Sequence, residues 1–144
     1  MREFINRILY GRILHKTGTS IEIGRSGEKR ALEYLRRVKK FRIICRNWKY
    51  RHGEIDLVAW DNEVLVFIEV RTRHKSALVS GFYTVNHHKK KVLRRTCQAY
   101  MNGLRRTPNH FRFDIVEVNY GKEKDFSVNH FENIDLFSKY YHPN

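Results

Sequence analysis

The sequence predicts an α/β fold in which a mixed central sheet is flanked by helices. Three observations support it. Apolar residues switch between helical and strand periods in the order helix, three strands, helix, strand, strand. Two of the strand-like runs, Gly53 to Val58 and Val66 to Arg71, are joined by a turn-type dipeptide. A chain of 144 residues without internal repeat or interdomain linker is the size of one domain with its own core.

Residues 1–17 carry Phe4, Ile5, Ile8, Leu9 and Ile13 at helical spacing with basic residues between them, which describes a basic amphipathic helix or arm. Two roles suit it: packing on the domain or on a second copy of the chain, and lying on a membrane surface. Gly18-Thr19-Ser20 breaks the pattern, so residues 1–23 are set apart from a domain at 24–131. Gly24 to Lys40 reads as a helix. Ala31, Leu32, Leu35 and Val38 form its apolar stripe, and Arg36, Arg37, Lys39 and Lys40 lie near the C-terminus, where cations suit the dipole. Glu28 projects from the face of the stripe, either toward the core or as a stabiliser of the helix start. Phe41 to Trp48 is a strand, the hairpin follows, and Arg73 to Tyr83 is a polar loop. Val85 to Leu104 reads as a second helix, with Val92, Leu93, Ala99, Tyr100 and Leu104 among many basic residues. Phe111 to Val118 alternates as a strand, Phe126 to Phe131 is a weaker one, and 132–144 is a tail.

In the hairpin, Asp61-Asn62 is read as the turn, so that Trp60 faces Glu63, Asp56 faces Phe67 and Glu54 faces Glu69. Alternation puts Glu69 and Arg71 on one face and Val64, Val66, Ile68 and Val70 on the other. Glu54 and Asp56 join Glu69. A one-residue slip would push the apolar set of one strand into water, so the pattern resists it. Val58, Leu65 and Phe67 share the acidic face, which is therefore partly covered, and clustered covered carboxylates repel and want a cation. The plainer alternative is a solvated cross-strand ion network, worth about 0.2 to 1 kcal/mol per pair. For Glu54 a structural or ion-pair role is preferred over ligation.

Charge narrows the partner class. With 29 Lys and Arg against 15 Asp and Glu, the net charge is +14. Such an excess suits a polyanion, nucleic acid first, although a ribosomal or membrane-surface role needs the same charge. Lys89, Lys90, Lys91, Arg94 and Arg95 make the second helix a positive surface beside the acids. Trp48 and Tyr50 can stack on bases, with core packing preferred for Trp48. Adjacent helical residues diverge, so His87-His88 is not read as a metal pair. Cys45 and Cys97 form no CxxC pair and no disulfide framework, which suits a reducing, cytoplasmic setting. No apolar run is long enough for a transmembrane helix, and Arg2, Arg7 and Arg12 argue against a cleaved signal.

Gly27-Glu28, Arg46-Asn47, Gly53-Glu54-Ile55-Asp56-Leu57, Val66 to Arg71, Lys89 and Arg112-Phe113-Asp114 together resemble the YraN-like family of uncharacterised bacterial proteins. The likeness spans roughly residues 24 to 118. It implies a restriction-endonuclease-like core of the PD-(D/E)xK superfamily, similar to Holliday junction resolvases. It further implies Asp56 as the first acidic position, Glu69 as the second, Arg71 where many superfamily nucleases carry lysine, and Glu28 as the acid that several resolvases hold on the first helix. Asp56 and Glu69 would then ligate Mg²⁺ or Mn²⁺, Glu28 would take a second ion or orient a coordinated water, and the Val70 carbonyl would add a ligand. Arg71 stays protonated and cannot act as a general base, but it can clamp a phosphate bidentately. Lys89, with Lys90 and Arg94, is the expected phosphate contact, and Asp114 is expected to pair internally with Arg112 or Lys89.

The resulting expectation is a metal-dependent nuclease-like protein acting on branched or single-stranded DNA, DNA being favoured over RNA, with a homodimer as the form that resolvases of this fold often take. The rival is a non-catalytic nucleic-acid-binding or assembly module that keeps the nuclease fold. A structural protein docked on RNA is a third class.

Overall fold

The computed structural model describes residues 18–76, 86–122 and 125–137. Its elements are α1 (Gly18–Arg37), β1 (Arg42–Tyr50), β2 (Gly53–Asp61), β3 (Val64–His74), α2 (His87–Asn102), β4 (His110–Tyr120) and β5 (Phe126–Phe131). They follow the predicted order. One mixed sheet runs β1-β2-β3-β4-β5, antiparallel except for the parallel step from β3 to β4. A parallel step needs a crossover, and α2 supplies it. The basic segment at 1–17 and the loop segment 77–85 lie outside the described residues.

Each face of the sheet is covered by one helix. Ala31, Leu32 and Leu35 of α1 pack on Leu57, Ala59, Val66, Ile68, Val70, Val116 and Val118. Leu93, Cys97 and Met101 of α2 pack on Val58, Leu65, Phe67, Phe113 and Ile115 on the opposite face. The period-2 alternation of β3 thus feeds two cores, as the sequence pattern requires. Asn86 caps α2, its side chain accepting from the Lys89 N–H at 2.9 Å.

Four sequence expectations are corrected. Gly18-Thr19-Ser20 lie inside α1, which begins six residues before Gly24. Val38 leaves the apolar stripe: α1 ends at Arg37, and Val38 is 67% exposed. The hairpin turn is Asn62-Glu63, because Asp61 pairs with Val64 and Asn62 takes the left-handed conformation (φ 52°) that asparagine tolerates. The register therefore moves by two residues, which keeps the faces but sets Val58, not Asp56, across from Phe67. Finally, residues 132–137, assigned to the tail, pack on the domain. The Ile134 N–H donates to the Phe113 carbonyl at 2.7 Å, Leu136 is buried against the α2 core, and Arg94 Nε donates to the Leu136 carbonyl at 2.8 Å.

Simple alternation fails at two levels of the sheet, at a register shift between Ile43 and Cys45 on β1 and between Ile55 and Leu57 on β2. Ile55 belongs to the α2 core, whereas Leu57, two residues on, belongs to the α1 core. On β1, Arg46 pairs with Leu57 and Trp48 with Ile55, which brackets Asn47 opposite Asp56. Asn47 is left-handed (φ 51°). The β2–β3 ladder stops at Leu57 and Ile68. Glu54, whose partner across the sheet is Lys49, falls outside the regular alternation that would have aligned it with Asp56.

Candidate functional site

Where the ladder stops, the Val70 N–H would lack a strand partner, and Asp56 supplies one. Asp56 Oδ2 accepts from the Val70 N–H at 2.7 Å. A side chain thus replaces a backbone carbonyl, which satisfies the donor and fixes the carboxylate at the split between β2 and β3. In a strand the N–H and C=O of one residue point to the same side, so the Val70 carbonyl faces the same opening.

Glu69 stands beside Asp56 and is nearly inaccessible. Burial pushes the Asp56 carboxyl well above the usual carboxylate range, repulsion from Glu69 and Glu28 adds to this, and the Val70 hydrogen bond and Lys89 oppose it. Glu28 reaches this point from α1. That helix lies close over the end of β3: a Cβ on Gly27 would come within 1.9 Å of Thr72 Oγ1, so only glycine permits the approach.

Lys89 is not on the surface. Its Nζ donates to Glu69 Oε1 at 2.8 Å, with the two side chains only 7% and 4% exposed. Burial lowers the pKa of the ammonium and Glu69 opposes the shift, while Arg71 adds cation–cation repulsion. Arg71 is itself buried on the same face of β3. Lys90 and Arg94 lie farther along α2, lining a shallow cleft of about 300 Å³ with His87, Asp135, Leu136 and Phe137. The structure therefore gathers Asp56, Glu69, Glu28, Arg71 and Lys89, and leaves Lys90 and Arg94 outside that group.

One buried acid escaped the sequence reading. Glu117 on β4 pairs in register with Arg71, accepts from Asn119 Nδ2 at 3.0 Å and lies 3.9 Å from Arg73 Nε. Its signal was the one that marks Asp56, an acid among apolar residues in a strand.

Asp114 belongs to a separate, satisfied network. Arg112 Nε donates to it at 3.0 Å, His130 Nε2 lies at 2.9 Å and the Asn133 N–H donates at 2.8 Å. Burial raises its pKa, but these bonds together outweigh burial and hold it below the usual range. Of the two expected internal partners, Arg112 is the one found.

Among the described residues, no group of three His, Cys, Asp or Glu side chains forms a metal-binding cluster. The donor set is instead two carboxylates, with Oδ2 of Asp56 and Oε1 of Glu69 already hydrogen-bonded. This still fits Mg²⁺, which is commonly held by one or two carboxylates and completed by water and substrate phosphate.

The model of the uncharacterised protein family UPF0102 matches residues 27–118, from Gly27 on α1 to Val118 on β4. The chain belongs to this family. The UPF0102 match contains every residue of the site just described, and it bears out the YraN-like resemblance. A UPF0102 protein of Alkaliphilus oremlandii is 39% identical over 114 residues, covering 78% of this chain and 96% of the relative. One from Carboxydothermus hydrogenoformans is 38% identical over 113 residues, 78% and 94% respectively. The UPF0102 protein STH1475 of Symbiobacterium thermophilum is 40% identical over 104 residues, 72% and 87%. None of the described helices is long and apolar enough to cross a membrane.

Proposed function

We propose that this UPF0102 protein is a metal-dependent nuclease-like enzyme that binds DNA and hydrolyses phosphodiester bonds of branched or single-stranded DNA. The observation that carries the reading is the convergence of Asp56 and Glu69 where β2 parts from β3, a place where burial and mutual repulsion favour a cation. Asp56 and Glu69 hold Mg²⁺ or Mn²⁺, the Val70 carbonyl adds a ligand, and Glu28 orients a water or takes a second ion. What such a cation supplies, when bound, is polarisation of the phosphoryl oxygen and a more acidic water. Arg71 neutralises charge building on the phosphate and stays protonated throughout. Lys89 has three N–H donors and spends one on Glu69, so it can also take a phosphate oxygen without breaking that pair. A homodimer in the cytoplasm, where Cys45 and Cys97 remain free thiols, is part of this reading.

One observation favours a second reading. Lys89 already places a cation on Glu69, which is what a non-catalytic nucleic-acid-binding module would need to stabilise the same fold without metal.

The test is cleavage of labelled duplex, single-stranded and four-way-junction DNA with Mg²⁺ and Mn²⁺. Wild type is compared with Asp56→Ala and Glu69→Ala at matched purity. Cutting by wild type alone supports the enzyme, and its preferred substrate names the role. Intact binding without cutting by any of the three supports the module.

A further inference from the structure

The hairpin between β1 and β2 carries an aromatic and basic surface that the acidic site does not use. From Phe41 to Gly53 the chain has no Asp or Glu, while Arg42, Arg46, Lys49 and Arg51 are all exposed. No ion pair joins these four to an acid among the described residues. Trp48 and Tyr50 lie two apart on β1 with their rings 7° from parallel and their centroids 6.3 Å apart. Tyr50 is 39% exposed. Arg51 sits over its ring at 5.4 Å, and Tyr100 of α2 meets Trp48 edge-on at 5.1 Å. Trp48 is thus buttressed by the core, whereas Tyr50 is open to solvent.

We propose that the Trp48–Tyr50 pair holds an unpaired base of single-stranded DNA, with Arg46 and Arg51 on the flanking phosphates. Successive bases in DNA lie about 3.4 Å apart, so a base between two parallel rings needs roughly 6.8 Å; the 6.3 Å between the centroids is the most the ring planes can be apart, so a base enters as the solvent-open Tyr50 ring swings outward from Trp48. Aromatic stacking is tolerant of base identity but requires a base free of its partner strand. The surrounding positive charge supplies the attraction to phosphate. It also argues against the other candidate occupant, a second copy pairing along the β1 edge, because Arg42, Arg46, Lys49 and Arg51 would then approach their own like charges. The pair adjoins the acidic site: Trp48 is the cross-strand partner of Ile55, the neighbour of Asp56. A strand held by its base here has its backbone delivered toward Asp56. The choice of DNA rests on the proposed function, and the stacking geometry stands without it.

The chain has two tryptophans, so full-length protein carrying Trp60→Phe reports on Trp48 alone. Its emission is titrated with oligothymidine, with a duplex of equal charge and with oligouridine, in the absence of divalent metal. The expected result is quenching by oligothymidine and little change with duplex. Tyr50→Ala should weaken oligothymidine binding roughly tenfold while leaving duplex binding unchanged, and Tyr50→Phe should keep both. Unchanged Trp48 emission on saturation overturns the proposal and needs no further variant. So does a Tyr50→Ala protein that is folded by circular dichroism and binds as the parent does. Tighter binding of oligouridine overturns the assignment to DNA. Cleavage by wild type separates the two readings: retained stacking with no cleavage by wild type in Mg²⁺ or Mn²⁺ ends the nuclease reading and leaves this surface standing.

Discussion

Asp56 meets two opposing demands: its carboxylate completes the backbone at Val70, yet its charge is disfavoured by burial and by Glu69 and Glu28. Its folded pKa is raised, so the folded state holds the proton more tightly than the unfolded chain. Stability from this group is therefore present below the usual carboxylate range and lost as pH rises toward the folded value. Asp56→Asn keeps an acceptor for Val70 and removes the charge. In metal-free buffer it is expected to melt higher than wild type at pH 7 and with a smaller difference at pH 4, as followed by circular dichroism. Millimolar Mg²⁺ should raise the wild-type midpoint and not that of Asp56→Asn, since only a ligand bound to the folded state stabilises it. Lys89 is the converse case. Lys89→Met leaves Glu69 buried without its cation and is expected to cost about 3 to 5 kcal/mol in urea unfolding. Adding Glu69→Gln should restore most of that loss. An additive double mutant would mean that the two side chains do not stabilise each other.

The site at the element scale is a consequence of where strands stop pairing. β2 and β3 part after Leu57 and Ile68, α1 closes over the end of β3 through Gly27, and α2 closes over β2 through Gly53. A Cβ on Gly53 would lie 1.8 Å from Thr96 Oγ1. Gly53→Ala should therefore displace α2 and with it Lys89, at a cost of about 1 to 3 kcal/mol. Thr96→Ala removes the atom in the way, so Gly53→Ala with Thr96→Ala is expected to be more stable than Gly53→Ala alone in thermal unfolding. The sequence marks Gly27 only as part of a family-like motif, and Gly53 also as the start of a strand-like run. Their reason for being glycine lies in helices brought near by the chain's long-range pairing. The hairpin turn lies one residue beyond the one the sequence predicts because Asp61-Asn62 and Asn62-Glu63 are both acceptable turn sequences, and only pairing with Val64 decides between them.

For the whole molecule, the net charge of +14 sets the expected behaviour toward polyanions more than any single residue does. DNA affinity should fall steeply and linearly on logarithmic axes as salt rises, with nearly the same slope for Asp56→Asn, because that acid makes no phosphate contact. A salt-independent affinity measured by anisotropy would contradict a phosphate interface. The sequence by itself determined the order of elements and the two-faced β3 with Glu69 and Arg71 on its α2 side, because strand and helix periods are local properties of side-chain spacing. It also determined the family through spaced motifs, and with it Glu28 and Lys89 as residues to watch. Tertiary structure decided the rest. Lys89 reads as one more member of a surface run of cations until α2 docks and carries it onto Glu69. Glu117 stands among apolar strand residues as Asp56 does, but only the parallel step of β4 sets it beside Arg71. The break in alternation between Ile55 and Leu57 falls where Asn47 is left-handed and where the β2–β3 ladder ends, neither of which is set by local spacing. Burial and charge pairing depend on which distant segments meet, and that information resides in the packed sheet and its two helices, not in the spacing of residues along the chain.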